Sequence, residues 1–238
     1  MRISNQYIKN PERVILFLEA FRKSLIHIGI LIFSLTLIGL YFASSTLRYL
    51  KTSTGVKLAA FGVPDAFLAF VTTAVGLGLF AAMPYISFSI LSAMPLLSPS
   101  FSRKMKWAFW TATILLFYSG AFFCILITLP YGAQFLLSYA TERIEPIISV
   151  IHFVSFSFVF IFGFGMIFNL PLVMILLGRV GLVRRETWTR YRRYAILGIT
   201  VISAILTPTP DVFNLMLMAV PLYILFELGI FGMRLWKK

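Results

Sequence analysis

Apolar and polar positions in this chain fall into long blocks, with no regular alternation. Five stretches carry almost no formal charge: Ser24 to Ala43, broken only by His27; Ala66 to Leu97; Trp107 to Ala140; Ile147 to Gly178; and Tyr194 to Phe226, interrupted by Asp211 alone. They run for 20, 32, 34, 32 and 33 residues. About 20 apolar residues rising about 1.5 Å each cross a bilayer, so every stretch is long enough to span one. In lipid the backbone must satisfy its own hydrogen bonds, which leaves helices or closed barrels. The alternating polar positions of a barrel are absent here. The pattern predicts an all-α, polytopic membrane bundle.

The fifth stretch divides at Thr207-Pro208-Thr209-Pro210-Asp211. Each proline removes a helix hydrogen bond and pushes its predecessor out of the α region. Two short helices joined by a tight hairpin follow from this, and the first of them suits a locally thinned bilayer. The expectation is a single integral membrane domain over residues 1–238 with six transmembrane helices. These lie at about 24–43, 66–92, 107–135, 148–177, 194–206 and 212–233, the fifth and sixth being short.

Composition agrees with this class. The 238 residues are 60% hydrophobic and 12% charged, with a mean hydropathy of +0.93, where a soluble domain carries about 25% charged residues. The basic residues set an orientation. The N-terminal arm holds Arg2, Lys9, Arg13, Arg22 and Lys23; the second loop holds Arg103, Lys104 and Lys106; the fourth holds Arg179, Arg184, Arg185, Arg190, Arg192 and Arg193; the tail holds Arg234, Lys237 and Lys238. That places 17 of the 21 basic residues on one side, against Arg48, Lys51, Lys57 and Arg143 on the other. Both termini are expected in the cytoplasm, with no cleavable signal peptide ahead of the first apolar helix. The net charge of +13 then reflects topology and anionic headgroups, and nucleic-acid binding is not expected.

Catalytic arrangements are missing from the pattern. Ser119-Gly120 follows Phe117 and Tyr118, so it lacks the first glycine of a nucleophile turn. His152 and Ser155 share one helix without further partners, and His27 stands alone near the other face; interface packing explains them better. Cys124 reads as a small packing residue. No His, Cys, Asp and Glu cluster has metal-ligand spacing, and no phosphate-binding loop occurs. Gly163-Phe164-Gly165 reads as close helix packing. The chain is expected to be no enzyme, with no cofactor and no metal.

Polar features at membrane depth carry a resemblance. The fourth span contains Phe162-Gly163-Phe164-Gly165-Met166-Ile167-Phe168-Asn169-Leu170-Pro171. The hairpin region reads Arg192-Arg193-Tyr194-Ala195, then Leu206 through the two prolines to Asp211-Val212-Phe213-Asn214. Met218-Ala219-Val220-Pro221-Leu222 and Leu225-Phe226-Glu227-Leu228 follow. With Leu18-Glu19-Ala20-Phe21-Arg22 and Val63-Pro64-Asp65-Ala66-Phe67, this set resembles the TatC family of the twin-arginine translocase over essentially the whole chain.

The resemblance implies a core receptor in the bacterial inner membrane. Such proteins recognise twin-arginine signal peptides of folded precursors and gather TatA- and TatB-type single-span membrane subunits, several copies forming a hetero-oligomer. Export of the folded precursor is driven by the proton gradient. The implied signal-peptide contacts are Glu19, Arg22, Ser102 and Arg103. The sequence departs from the family pattern His-Leu-x-Glu-Leu-Arg: aligned on Arg22, Phe17 takes the histidine place and Ala20 the glutamate place, with Glu19 one position early. Ser102 stands where the family's second acid lies, and Asn169 where many relatives have an acid or glutamine. The usual cytoplasmic carboxylate pair is reduced.

Each polar candidate also has a structural reading. Glu19 can pair with Lys23 on one helix face. Pro64 and Asp65 suit a helix start and structural cap. Asn169, Asp211 and Glu227 are intramembrane polar residues able to dock partner helices, but Asn169 can also be interhelical glue, Asp211 a cap, and Glu227 a partner of Arg234 or a neighbouring helix. The competing functional class is a small multi-pass solute transporter or channel. That class would show inverted repeats and midplane ionisable residues, which the chain lacks.

Overall fold

The computed structural model describes residues 11–97, 103–138, 148–180, 183, 185–206 and 212–235, with side chains described from Arg22 onward apart from some at helix ends. Helix α1 runs Pro11–Thr54, followed by the two-residue strand β1, Leu58–Ala59, and helix α2, Val63–Leu97. Helix α3, Arg103–Phe123, passes through a π-helical turn, Cys124–Thr128, into α4, Leu129–Ser138. Strand β2, Ile148–Ser149, leads into α5, Val150–Phe168, and α6, Leu170–Val180. The short α7, Arg185–Arg190, precedes α8, Arg192–Leu206, and α9, Val212–Leu235.

Four segments among the described residues are long and apolar enough to cross a membrane: Ser24–Thr54, Pro64–Ser92, Arg103–Gln134 and Val150–Arg179. The helical membrane class is therefore the observed one. The other two helices read as spans, α8 and α9, have 15 and 24 residues. One feature departs from an all-α chain: β1 and β2 pair in parallel, Leu58 with Ile148 and Ala59 with Ser149. Ile148 N–H donates to Lys57 O at 3.2 Å, so two loops are tied together at one end of the bundle.

Helix α1 continues well past its apolar block, and its 44 residues correspond to about 66 Å of helix, over twice the ~30 Å hydrocarbon core. It stops where Gly55 adopts φ +68 and its N–H bonds Lys51 O at 3.1 Å, a left-handed cap that a side chain would strain. Only 6% of its apolar span is buried, so α1 stands at the edge against α2.

The helices approach through glycines, as expected where no hydrophobic force drives association in lipid. A Cβ on Gly39 of α1 would lie 2.7 Å from Ala74 O of α2, and one on Gly78 of α2 would lie 2.5 Å from Thr36 Oγ1 of α1. Gly76, on the opposite face of α2, lies beneath the Phe158 ring of α5. Helices α3 and α5 interlock reciprocally: Gly120 receives Phe168 and Phe164 O, while Gly165 receives Phe117. Helices α6 and α9 repeat the device, Gly229 against Met174 and Gly232 against Ile175.

Two large apolar cores result, beside a smaller cluster of Ala69, Val154 and Phe158 between α2 and α5. One joins Leu50 and Val56 with the end of α3, α5 and Met218; the other joins Leu91, Met105 and Phe109 with Met174, Ile175, Ile199, Phe226, Ile230 and Met233. The first lies at the end bearing the β pair, the second at the opposite end, where α7 and most of the described basic residues lie. Phe156, Phe160, Phe164 and Phe168 form a stripe along α5, with successive ring centroids 4.2, 6.3 and 6.5 Å apart.

Gly163 and Gly165 provide a matched test of this packing. An added Cβ at Gly165 would meet the Phe117 ring at 2.5 Å, whereas nothing lies within 4 Å of one at Gly163. Gly165→Ala is expected to destabilise the bundle by about 1–3 kcal/mol and Gly163→Ala to be neutral or mildly stabilising, as measured by unfolding of the reconstituted protein in a denaturing detergent titration.

Candidate functional site

The basic end is assembled from α2, α3, α6, α7, α8 and α9. Pro84 inside α2 has no N–H, so the carbonyl of Phe80 loses its helical donor. Tyr118 on α3 replaces it, its hydroxyl donating to Phe80 O at 3.1 Å. Trp110 Nε1 donates to Pro84 O at 2.8 Å. Helix α2 is therefore tied to α3 at two points around Pro84. Nearer the helix end, the Lys106 ammonium lies 4.1 Å above the Phe88 ring, and Phe88 packs on Trp107 and Trp110. Arg179 of α6 reaches the Met105 sulfur of α3, joining the two basic loops.

Arg103 opens α3 and is exposed; Arg22 is exposed on α1. Among the described residues neither makes a hydrogen bond or an ion pair. Glu19 lies within helix α1, but its side chain falls outside the described residues. Ser102 and Asp211 also lie outside them. The structure accordingly does not bring the four signal-peptide candidates together as a described cluster.

Pro64 and Asp65 occupy the first turn of α2. Phe61 N–H donates to Asp65 Oδ2 at 3.2 Å, and Asp65 N–H to Gly62 O at 3.1 Å. The carboxylate reaches back over the helix start, as a capping acid does, and sits where negative charge is favoured.

Asn169 marks the break between α5 and α6. Pro171 cannot donate to the helix, and the chain tightens ahead of it: Asn169 N–H turns to Met166 O at 3.0 Å. Its side-chain Nδ2 then donates to Gly165 O at 2.9 Å, replacing the backbone donor. Asn169 Oδ1 is buried without a partner among the described residues. This lies inside the Val150–Arg179 span, where an unpaired acceptor is costly.

Glu227 of α9 pairs across to α8. Arg192 Nη2 lies 2.8 Å from Glu227 Oε2, and Tyr223 OH donates to Oε1 at 3.1 Å. Of the two partners expected for Glu227, it is the neighbouring helix and not Arg234 that supplies the cation. Sequence reading missed Arg192, Tyr223, Tyr118 and Trp110. Arg192 was legible in principle: it lies about as far before the proline hairpin as Glu227 lies after it, so an antiparallel pair sets them level. Among the described residues no group of three His, Cys, Asp or Glu could hold a metal ion.

A bundle of long apolar helices with proline-broken spans, one strongly basic end and intramembrane amides defines a multi-span membrane protein of the transport class. The chain belongs to the TatC family, the Sec-independent protein translocase proteins, whose model matches residues 16–221. The resemblance carried by the Asn169 and Pro208–Pro210 regions therefore holds. A TatC of Carboxydothermus hydrogenoformans is 33% identical over 90% of this chain and 89% of its own length. The TatC of Escherichia coli K12 is 26% identical over 96% of this chain and 91% of its own. Two crystal structures of the twin-arginine translocase receptor TatC, one in DDM, superpose with TM-scores of 0.77 and 0.78 at 28% identity. They cover 91% and 93% of this chain and 98% and 100% of their own. The family is one of membrane protein transport by the twin-arginine route.

The proline-released carbonyls give a stability test. Tyr118→Phe leaves Phe80 O without its donor and is expected to lower stability by about 0.5–2 kcal/mol in the same detergent titration. Asn169→Leu removes an orphaned acceptor together with one hydrogen bond, and stability is expected to stay within about 1 kcal/mol of the native protein.

Proposed function

We propose that this chain is the receptor subunit of a twin-arginine translocase in a bacterial inner membrane. The observation that carries the reading is the superposition, over 93% of the chain, on a crystal structure of the twin-arginine translocase receptor. In this reading the chain recognises the paired arginines of a precursor's signal peptide. With TatA- and TatB-type single-span subunits, in a hetero-oligomer of several copies, it exports the folded precursor using the proton gradient. Six helices span the bilayer, α8 and α9 being the fifth and sixth, and both termini are cytoplasmic. The excess of basic residues at one end supports that orientation. Helix α8, with 15 residues, gives about 22 Å, so the bilayer thins beside it.

Glu19, Arg22, Ser102 and Arg103 form the signal-peptide surface, and Asn169, Asp211 and Glu227 are intramembrane polar residues, of which Asn169 and Asp211 serve helix docking. A guanidinium is held best by a carboxylate because the two planar groups bond through parallel hydrogen bonds. Asn169 supports the docking role through its unpartnered buried oxygen, which a partner's polar side chain would satisfy.

Photocrosslinkers at positions 19 and 102 should capture a twin-arginine precursor and lose it when its two arginines become lysines. Crosslinks indifferent to that change would refute the receptor reading. Glu19→Ala is expected to weaken precursor binding about tenfold while leaving complex assembly intact, the loss being that of one charged hydrogen-bonded pair.

A further inference from the structure

At the basic end, Glu227 follows directly on Phe226, which is buried in the core shared by α3, α6 and α9. That fixed neighbour positions the carboxylate, yet the carboxylate itself is open: the Glu227 and Arg192 side chains are 32% and 48% exposed. Both oxygens are engaged, Oε2 by Arg192 Nη2 at 2.8 Å and Oε1 by Tyr223 OH at 3.1 Å. An accessible carboxylate with a phenol beside it is thus already holding an arginine guanidinium.

We propose that Glu227 and Tyr223 form a guanidinium site that Arg192 occupies in the resting protein. An arginine of the incoming peptide takes the site by displacing Arg192. The proposal rests on the receptor reading above and adds to it a further binding carboxylate and an internal competitor. Exchanging one guanidinium for another keeps the bonds at Glu227 and releases Arg192 to water and headgroups. The contact therefore weakens ligand binding without blocking it.

Four observations favour this site. First, the ion pair is exposed, and such pairs contribute little net stability, so Arg192 is readily released. Second, Arg193 is already committed: its guanidinium lies 4.9 Å from the Tyr194 ring and donates to Tyr194 OH at 3.2 Å, leaving Arg192 as the local occupant. Third, Phe226 and Met105 share one core, so Glu227 lies at the same end of the bundle as Arg103. Fourth, the Glu227 carboxylate is itself reachable, its side chain being 32% exposed. An ammonium could meet the carboxylate only as a point charge, so the site also separates arginine from lysine.

The experiment uses the full chain in nanodiscs of phosphatidylethanolamine and phosphatidylglycerol, with fluorescence anisotropy of a labelled peptide carrying paired arginines and of its paired-lysine counterpart. Arg192→Gln is expected to tighten binding of the arginine peptide about two- to fivefold, the range an exposed ion pair can impose. Arg192→Lys, which keeps the charge, should fall between native and Arg192→Gln. Glu227→Gln should weaken binding and abolish the effect of Arg192→Gln in the double variant. The lysine peptide, which meets the site only as a point charge, should respond more weakly to each of these changes. Unchanged or weaker binding by Arg192→Gln, or a gain that survives Glu227→Gln, would mean that the pair merely ties α8 to α9. Should the native protein bind both peptides equally, the receptor reading itself fails. Discrimination between the peptides without an Arg192 effect removes only this site.

Discussion

Hydrocarbon offers no water to accept or donate a hydrogen bond, so every backbone group freed by a proline must find its partner within the protein. That constraint shapes the bundle at three places. At Pro84 the donors come from the neighbouring helix, Tyr118 to Phe80 O and Trp110 to Pro84 O. Just ahead of Pro171 the rearrangement is local: Asn169 N–H turns to Met166 O, and the Asn169 side-chain amide covers the Gly165 O that this leaves without its donor. Ahead of Pro130 the helix widens into a π-turn, and Leu129 N–H reaches Cys124 O instead of the usual acceptor. Each of the three prolines is thus matched by a local hydrogen-bond rearrangement.

Bent helices pack only where side chains permit, and the glycines fall at those contacts. The reciprocal seating of Phe117 on Gly165 and Phe168 on Gly120 locks α3 to α5, and Met174 on Gly229 locks α6 to α9. The two locked pairs meet through the core around Phe109 and Phe226. Helix α1 packs mainly on α2, with Leu50 in the core shared with α5, and keeps an apolar outer face that includes Ile30, Phe33, Leu37 and Tyr41. The Asn169 oxygen and the Arg192–Glu227 pair are two places in this frame where polar capacity is incompletely or weakly used.

Much of this was legible in the sequence. Charge-free blocks reveal helices that cross a membrane, because lipid excludes charge regardless of detailed packing. The family was legible because its fragments at Asn169, the proline hairpin and Pro64–Asp65 recur in order. Packing partners were not, since a glycine in an apolar helix does not say which ring it will receive. Nor was the β pair: Leu58–Ala59 and Ile148–Ser149 lie far apart in sequence, in loops of ordinary composition. The end of α1 was obscured because polar residues such as Thr52 and Thr54 can stay helical by bonding back to Arg48 O and Leu50 O. The candidate site was legible as residue types but not as pairs. Arg192 opposite Glu227 depends on the register of two antiparallel helices, which composition does not encode.

On the proposed function, this bundle presents at its basic end a surface selective for two guanidinium groups. The most direct test is the equilibrium affinity of the purified, reconstituted full chain for one precursor whose paired arginines are intact or changed to lysines at constant charge. Binding of the lysine precursor is expected to be at least about tenfold weaker, equivalent to about 1.4 kcal/mol lost with the arginine's planar hydrogen-bonding geometry. Equal affinities would contradict the receptor function, because they would mean that charge alone brings the precursor to the membrane.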